Sequence, residues 1–212
     1  MAIKAVLFDM DGLLLDTERL AYDAFRTAAA AWHEPVPDAA FFEVLGRARR
    51  DGEARFRALL PEVDHDGFAR TWDATYTQSL AEAVPLRPRV REVLERITLP
   101  MAVVTSSRRA FAEDKLGRTG LLGFFAHLVC GDEVGQAKPH PEPYLTGAAG
   151  FGLAAEDCAA FEDSEPGTHA ALAAGCLTVQ VPDLVPPSDT LRARGHVIAP
   201  DLRAGAEAIG LI

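Results

Sequence analysis

Five short apolar runs recur along the chain: Ile3 to Phe8, Met101 to Val104, His127 to Cys130, Cys158 to Phe161, and Leu177 to Val181. Continuous runs of this length, flanked by turn-forming residues, suit strands buried on both faces, as in a parallel sheet. Between them apolar residues fall at helical spacing, as in Val90, Val93, Leu94 and Ile97, or in the alanine-rich stretch around Ala170, Ala171 and Ala174. Strands alternating with helices predict an α/β layered fold.

The first run breaks this rhythm, because the next begins roughly 90 residues later, far beyond an ordinary crossover. The intervening segment reads as several helices. Leu20, Ala24, Phe25, Ala28 and Trp32 share one face of the first, and Phe68, Trp72, Tyr76 and Ala83 one face of the last. Pro35, Pro37, Pro85 and Pro88 punctuate the segment where helices stop. The pattern therefore predicts a small all-helical cap, residues 17–85, inserted after the first strand of a core formed by residues 1–16 and 86–212.

A chain of 212 residues that is 49% apolar can bury one substantial core and a smaller second lobe. Its formal charge of -10 argues against nucleic acid or an anionic membrane as partner, since both need a positive field. The apolar stretch after Lys4 is too short for a signal-peptide core, and no later segment is long enough to span a bilayer. Cys130, Cys158 and Cys176 lie far apart without Cys-x-x-Cys pairing, which suits a reducing compartment. A soluble cytoplasmic protein acting on a small molecule is expected; oligomeric state is not legible.

In open parallel sheets ligands bind outside the carboxyl ends of the strands. Here those ends are polar. The first run ends in Asp9-Met10-Asp11-Gly12, the second in Thr105-Ser106-Ser107 and the fourth in Glu162-Asp163-Ser164, while Lys138-Pro139 follows the third. Phosphoryl transfer demands such a set: a nucleophile, a proton donor, a cation, and fixed donors around the phosphate oxygens. Asp9 is the candidate nucleophile, forming an aspartyl-phosphate that water hydrolyses. Asp11, brought near by a turn at Gly12, is the candidate acid and base. Thr105, Ser106 and the amides opening the helix near Arg108 are candidate phosphate donors, with Lys138 adding a point charge that Pro139 keeps extended. The hard oxygen ligands of Asp9 and Asp163 suit Mg²⁺. In the cap, the Leu45-Gly46-Arg47 setting makes Arg47 a candidate contact for the non-reacting part of a substrate, whereas Asp16 or Thr17 reads as a helix N-cap.

The stretch Asp9-Met10-Asp11-Gly12-Leu13-Leu14-Leu15-Asp16-Thr17-Glu18 resembles the first motif of the haloacid dehalogenase superfamily, in the branch of β-phosphoglucomutase and sugar-phosphate phosphatases. Val103-Val104-Thr105-Ser106, Lys138-Pro139, and Phe161-Glu162-Asp163-Ser164 with Gly167 resemble its later motifs in order. The resemblance implies a Rossmann-like core, a cap that closes over the substrate, and Mg²⁺ held by Asp9, the Asp11 carbonyl and Asp163, with Glu162 contributing directly or through water. It implies a phosphatase ahead of a phosphotransferase like β-phosphoglucomutase, because Ala21 stands where that enzyme's cap histidine is expected. A receiver-like phospho-accepting protein is the alternative from another class, and the long cap argues against it. Two departures stand out: Ala137 and Arg89 occupy positions where glycines are common, and only local backbone changes are expected from them.

Overall fold

The structure, a computed structural model, describes residues 2–32, 35–45 and 49–212, with side chains at all of these except 49–51. Six parallel strands form one sheet: β1 (Ala5–Phe8), β2 (Met101–Val104), β3 (His127–Val129), β4 (Cys158–Glu162), β5 (Leu177–Gln180) and β6 (Val197–Ile198). Their spatial order is β3-β2-β1-β4-β5-β6, a Rossmann-like arrangement. The five apolar runs thus become the first five strands. β6 was not anticipated, because two residues at the sheet edge, paired only through Val179–Val197 and Gln180–Ile198, carry no readable pattern.

Side chains alternate across the sheet, so strands β1 to β4 feed two cores. Phe8, Val103, Phe161 and Val179 pack on one face against α5 (Val90–Arg96), α6 (Arg109–Arg118) and α10 (Leu202–Ala208). The Phe8 and Phe161 rings stack at 5.2 Å. Leu7, Val104 and Ala160 pack on the other face against α7 (Glu142–Ala149) and α8 (Glu165–Ala174). A short helix, α9 (Asp189–Arg192), completes the core.

The cap comprises α1 (Thr17–Ala31), α2 (Asp38–Phe42), α3 (Arg49–Leu59) and α4 (His65–Glu82). It has its own apolar cluster of Phe25, Ala28, Phe41, Phe56 and Phe68, against which Trp32 and Trp72 pack. Two expected members of the α4 face lie elsewhere. Ala83 follows the helix as an extended, exposed cap residue, and Tyr76 turns away from the cluster toward the cleft beneath the cap.

The two crossings between core and cap are tied together. Leu15 forms an antiparallel bridge with Leu86, the Asp16 amide donates to the Pro85 carbonyl at 2.9 Å, and the Arg87 amide to the Leu14 carbonyl at 3.0 Å. Asp16 is the N-cap of α1 but makes no side-chain capping bond; it pairs instead with Arg19 at 3.5 Å and Arg87 at 3.4 Å. Arg87 also meets Asp183 at 2.6 Å. Arg89 adopts φ 63°, a left-handed conformation that glycine enters without a Cβ penalty. Ala137 keeps negative φ, so its methyl group is accommodated without that strain.

Candidate active site

The sheet order reverses between β1 and β4, and the residues that follow these neighbours meet there. Register explains the convergence. Phe8 is opposite Phe161 and Val103, so Asp9, Val104 and Glu162 come next on three adjacent strands, and the Asp9 amide donates to the Phe161 carbonyl at 2.9 Å.

Lys138 reaches this edge from the loop after β3 and spends all three ammonium protons. It donates to Asp9 Oδ1 at 2.6 Å, Glu162 Oε1 at 2.5 Å and the Val104 carbonyl at 2.8 Å. Its side chain is only 3% exposed, a placement tolerable for an ammonium only when fully paired. Tyr144 of α7 donates to Glu162 Oε1 at 2.7 Å, and the Ser164 hydroxyl to Glu162 Oε2 at 3.0 Å. Both oxygens of Glu162 are therefore engaged, which favours a role in aiming Lys138 over direct metal ligation. Gly167 is needed here: a Cβ at this position would overlap the Glu162 carboxylate.

Asp9, Glu162 and Asp163 each offer a carboxylate oxygen within 4.8 Å of the others. Asp163 Oδ1 is buried without a hydrogen-bond partner, an arrangement that costs free energy unless a cation accepts the lone pairs. Burial pushes the Asp9 carboxyl up to about 7 against the pull of Lys138, and burial with Asp9 repulsion raises Asp163 well above its ordinary range. A cluster of hard oxygen donors too crowded with negative charge to ionise freely fits a divalent cation such as Mg²⁺. Gly12, at φ 88°, packs so closely on Asp163 that a side chain there would displace the carboxylate.

Asp11 occupies a distinct subsite. Its Oδ1 accepts from Thr17 at 2.5 Å and from Lys115 of α6 at 2.7 Å, and its Oδ2 from Ser107 at 2.7 Å. Burial opposes ionisation, yet Lys115 and these hydroxyls outweigh it and hold the carboxyl below its ordinary range. Thr17 is thus no mere helix cap. Glu18, one residue on, is raised to about 8 by burial and by repulsion from Asp11 and Asp9.

Thr105 is buried and its hydroxyl accepts from the Ser107 amide at 3.0 Å, whereas Ser106 is exposed toward the cleft. The Arg109 amide, expected among the phosphate donors, is instead capped by Asp132 at 3.0 Å. The sequence pattern contains the acidic Asp132 but nothing that pairs it with that amide. Arg47 lies outside the described residues.

Asp9, Asp11, Thr105, Ser106, Lys138 and Asp163 all line one cleft of about 460 Å³, roofed by Asp73, Tyr76, Thr77 and Leu80 of α4. Sequence reasoning missed Lys115, Tyr144 and the role of Thr17. One signal was available: Lys115 falls between Ala112 and Leu116 on the buried stripe of α6, where an unpaired lysine would not be tolerated. Tyr144 carried none, since a helical tyrosine reads as ordinary core.

A Rossmann-like sheet whose switch point gathers carboxylates and a buried lysine beneath an inserted helical cap defines a hydrolase of the α/β class. The chain belongs to the haloacid dehalogenase-like hydrolases, whose family model matches residues 3–175. It is 34% identical over 179 residues to the phosphorylated carbohydrates phosphatase of Thermotoga maritima, covering 82% of each chain. It is 32% identical over 178 residues to the fructose-1-phosphate phosphatase of Escherichia coli, covering 83% of this chain and 95% of that one. Among solved structures, a HAD family hydrolase from Deinococcus radiodurans R1 with bound phosphate and sodium superposes with a TM-score of 0.80 at 26% identity, covering 99% of this chain and 97% of that one. Membership of a hydrolase family removes the phospho-accepting signalling alternative. No helix among the described residues is long and apolar enough to cross a membrane.

Proposed function

We propose that the chain is a Mg²⁺-dependent phosphatase that hydrolyses a small sugar phosphate through an aspartyl-phosphate on Asp9, beneath a cap formed by residues 17–85. The observation that carries this reading is the contact of Lys138 with Asp9 at 2.6 Å, beside the unpartnered Asp163 oxygen. Phosphatases of phosphorylated carbohydrates and of fructose 1-phosphate among its relatives support the substrate class.

Asp9 and Asp163, with the Asp11 carbonyl, would hold the cation. Bound there, Mg²⁺ supplies positive charge that lets carboxylates and a phosphate share one cavity. Lys138 fixes the Asp9 carboxylate and neutralises part of its charge. Asp11, ionised in its pairing with Lys115, takes up a proton as the negative phosphate enters the cleft; Asp9 attacks phosphorus, Asp11 passes that proton to the departing alkoxide, and Asp11 then takes a proton from the water that opens the acyl-phosphate. Thr105 and Ser106 border the phosphate position. The non-reacting part of the substrate occupies the cleft under α4, whose volume lies in the range of small-molecule sites. Ala21, whose carbonyl accepts from Trp72 Nε1 at 2.9 Å, belongs to the cap packing and offers no side-chain group for a second phosphoryl transfer. Transfer to water is therefore favoured over transfer to a sugar hydroxyl.

The test is a panel of phosphomonoesters, including fructose 1-phosphate and β-glucose 1-phosphate, assayed with Mg²⁺ for both released phosphate and isomerised sugar phosphate. Released phosphate that stops in excess chelator is expected. Isomerised product without release would replace the phosphatase by a mutase, and unchanged release in chelator would remove the metal.

A stability experiment addresses the same cluster without turnover. The folded-state values of Asp9, near 7, and Asp163 lie above those of an unfolded carboxyl, so their contribution to stability is complete below about pH 4 and is lost as pH rises through the folded values. Metal-free protein should lose stability between about pH 4 and pH 8. Mg²⁺ binds the ionised cluster, so its stabilisation should grow over the same window, reaching roughly 5–10 °C in Tm at saturating ion. A Tm increment equal at pH 5 and pH 8 would contradict the placement of the ion among these carboxylates.

A further inference from the structure

We propose that Phe111, a residue of the core and not of the cap, is a specificity-determining wall of the leaving-group subsite, and that the substrate it selects is a nucleoside 5′-monophosphate, a sugar phosphate that carries a flat base. The inference rests on the phosphatase reading above and narrows its substrate. Among the described residues Phe111 is the most exposed of the large apolar side chains, at 59%. On open surface a single such residue would need no explanation. Phe111 instead borders the cleft that holds Asp9 and Asp11, where the rest of a substrate must lie.

The two helices that flank the cleft are pinned at one end. Phe111, Lys115 and Arg118 share one face of α6. Arg118 ties that face to the cap, donating to the Leu80 carbonyl at 2.5 Å and the Ala81 carbonyl at 3.1 Å, both in the last turn of α4. Phe111 lies about two turns from this pin, at the N-terminal end of α6, where the cleft stays open. Tyr76 and Leu80 of α4 line the same cleft from the cap side. Among the described residues neither Phe111 nor Tyr76 joins an aromatic pair, unlike Phe25, Phe41, Phe68 and Trp72 in the cap. Two unpaired rings and a leucine thus wall a cavity whose inner end is made of carboxylates and hydroxyls. A bare polyol would set its hydroxyls against those walls and gain no hydrogen bond from them. A flat ring entering between the helices buries apolar surface and stacks, while Ser106 and Thr77 offer hydroxyls to the ribose.

The experiment measures kcat/KM with Mg²⁺ for uridine and adenosine 5′-monophosphate against ribose 5-phosphate. All three lose the same primary alkoxide from the same sugar and differ only in the base. The wild type should favour the better nucleotide by about 10-fold or more, the ordinary gain from one base stacked on aromatic side chains. Phe111→Ala should bring the nucleotide-to-ribose ratio down by about 10-fold, and Phe111→Trp should keep it. Because the base lies away from the reacting atoms, the change should appear as a higher KM for the nucleotide with little change in kcat. An exposed side chain can be removed without unfolding the chain, which a thermal melt checks. A wild type that treats nucleotides and ribose 5-phosphate alike, or prefers ribose 5-phosphate, would overturn the inference and leave the phosphatase reading in place. So would a ratio unmoved in Phe111→Ala, or release from fructose 1-phosphate with none from either nucleotide. Absence of Mg²⁺-dependent release from every phosphomonoester would remove the reading on which the inference rests.

Discussion

Asp9→Asn is expected to reduce phosphate release by at least about 10⁴-fold, since removing a nucleophile eliminates a covalent step that no neighbour can perform. The amide is isosteric, keeps an oxygen for Lys138, and lacks the charge whose burial raises Asp9 to about 7. The variant should therefore fold with a Tm within a few degrees of the wild type. At pH 8 in metal-free buffer it should be the more stable of the two, because the buried carboxylate is then ionised and repelled by Glu162 and Asp11. Phosphate release and thermal melts on the same preparations check both halves. Substantial residual turnover would contradict Asp9 as nucleophile, and a collapsed fold would contradict the view that its charge is a burden.

Lys138→Met is expected to damage activity and stability together. The ammonium is the common partner of two carboxylates, Asp9 and Glu162, of which the second is fully buried. Removing one member of such a cluster leaves uncompensated charge and costs about 3–5 kcal/mol, and loss of the charge beside the phosphate should lower kcat by about 10²–10³-fold. The two effects are separable. Glu162→Gln placed on top of Lys138→Met removes the orphaned charge while Tyr144 and Ser164 still meet the amide, so denaturant unfolding should show most of the lost stability restored. Turnover should stay low. Wild-type stability in the single variant would contradict the network, and recovered activity in the double variant would contradict a chemical role for the lysine.

The strands and their polar ends were legible because strands buried on both faces leave uninterrupted apolar runs, and the first polar residue after each marks the sheet edge. Asp9, Thr105 and Glu162 can be read this way without any contact being known, with Asp163 next to Glu162, while Lys138 stands out as the cation of the loop after the third run. What could not be read are meetings set by three-dimensional packing. Lys115 approaches Asp11 across 104 residues, and Tyr144 approaches Glu162 from α7, on the sheet face opposite α6. Tyr76 fits the periodicity of α4, but periodicity identifies a face and not what the face meets; one end of that face packs in the cap and the other borders the cleft. Thr17, like Asp16, reads as a cap because its type and place at a helix start fit one, while its hydroxyl finds its acceptor in Asp11.

The pairing of Lys115 with Asp11 and of Lys138 with Asp9 divides the site electrostatically. One carboxyl is raised by burial and awaits compensation by a cation, and the other is already compensated by a lysine and two hydroxyls. Two aspartates separated by a single residue thereby receive different environments, one left short of positive charge and the other already paired.

Covalent capture offers the most direct discrimination. Enzyme mixed with an excess of its best sugar phosphate and Mg²⁺, quenched in acid within milliseconds and digested, should yield a phosphorylated peptide containing Asp9, absent from Asp9→Asn. Rapid turnover with no adduct on that peptide under any quench time, or with the phosphoryl group on another residue, would contradict the mechanism at its first step.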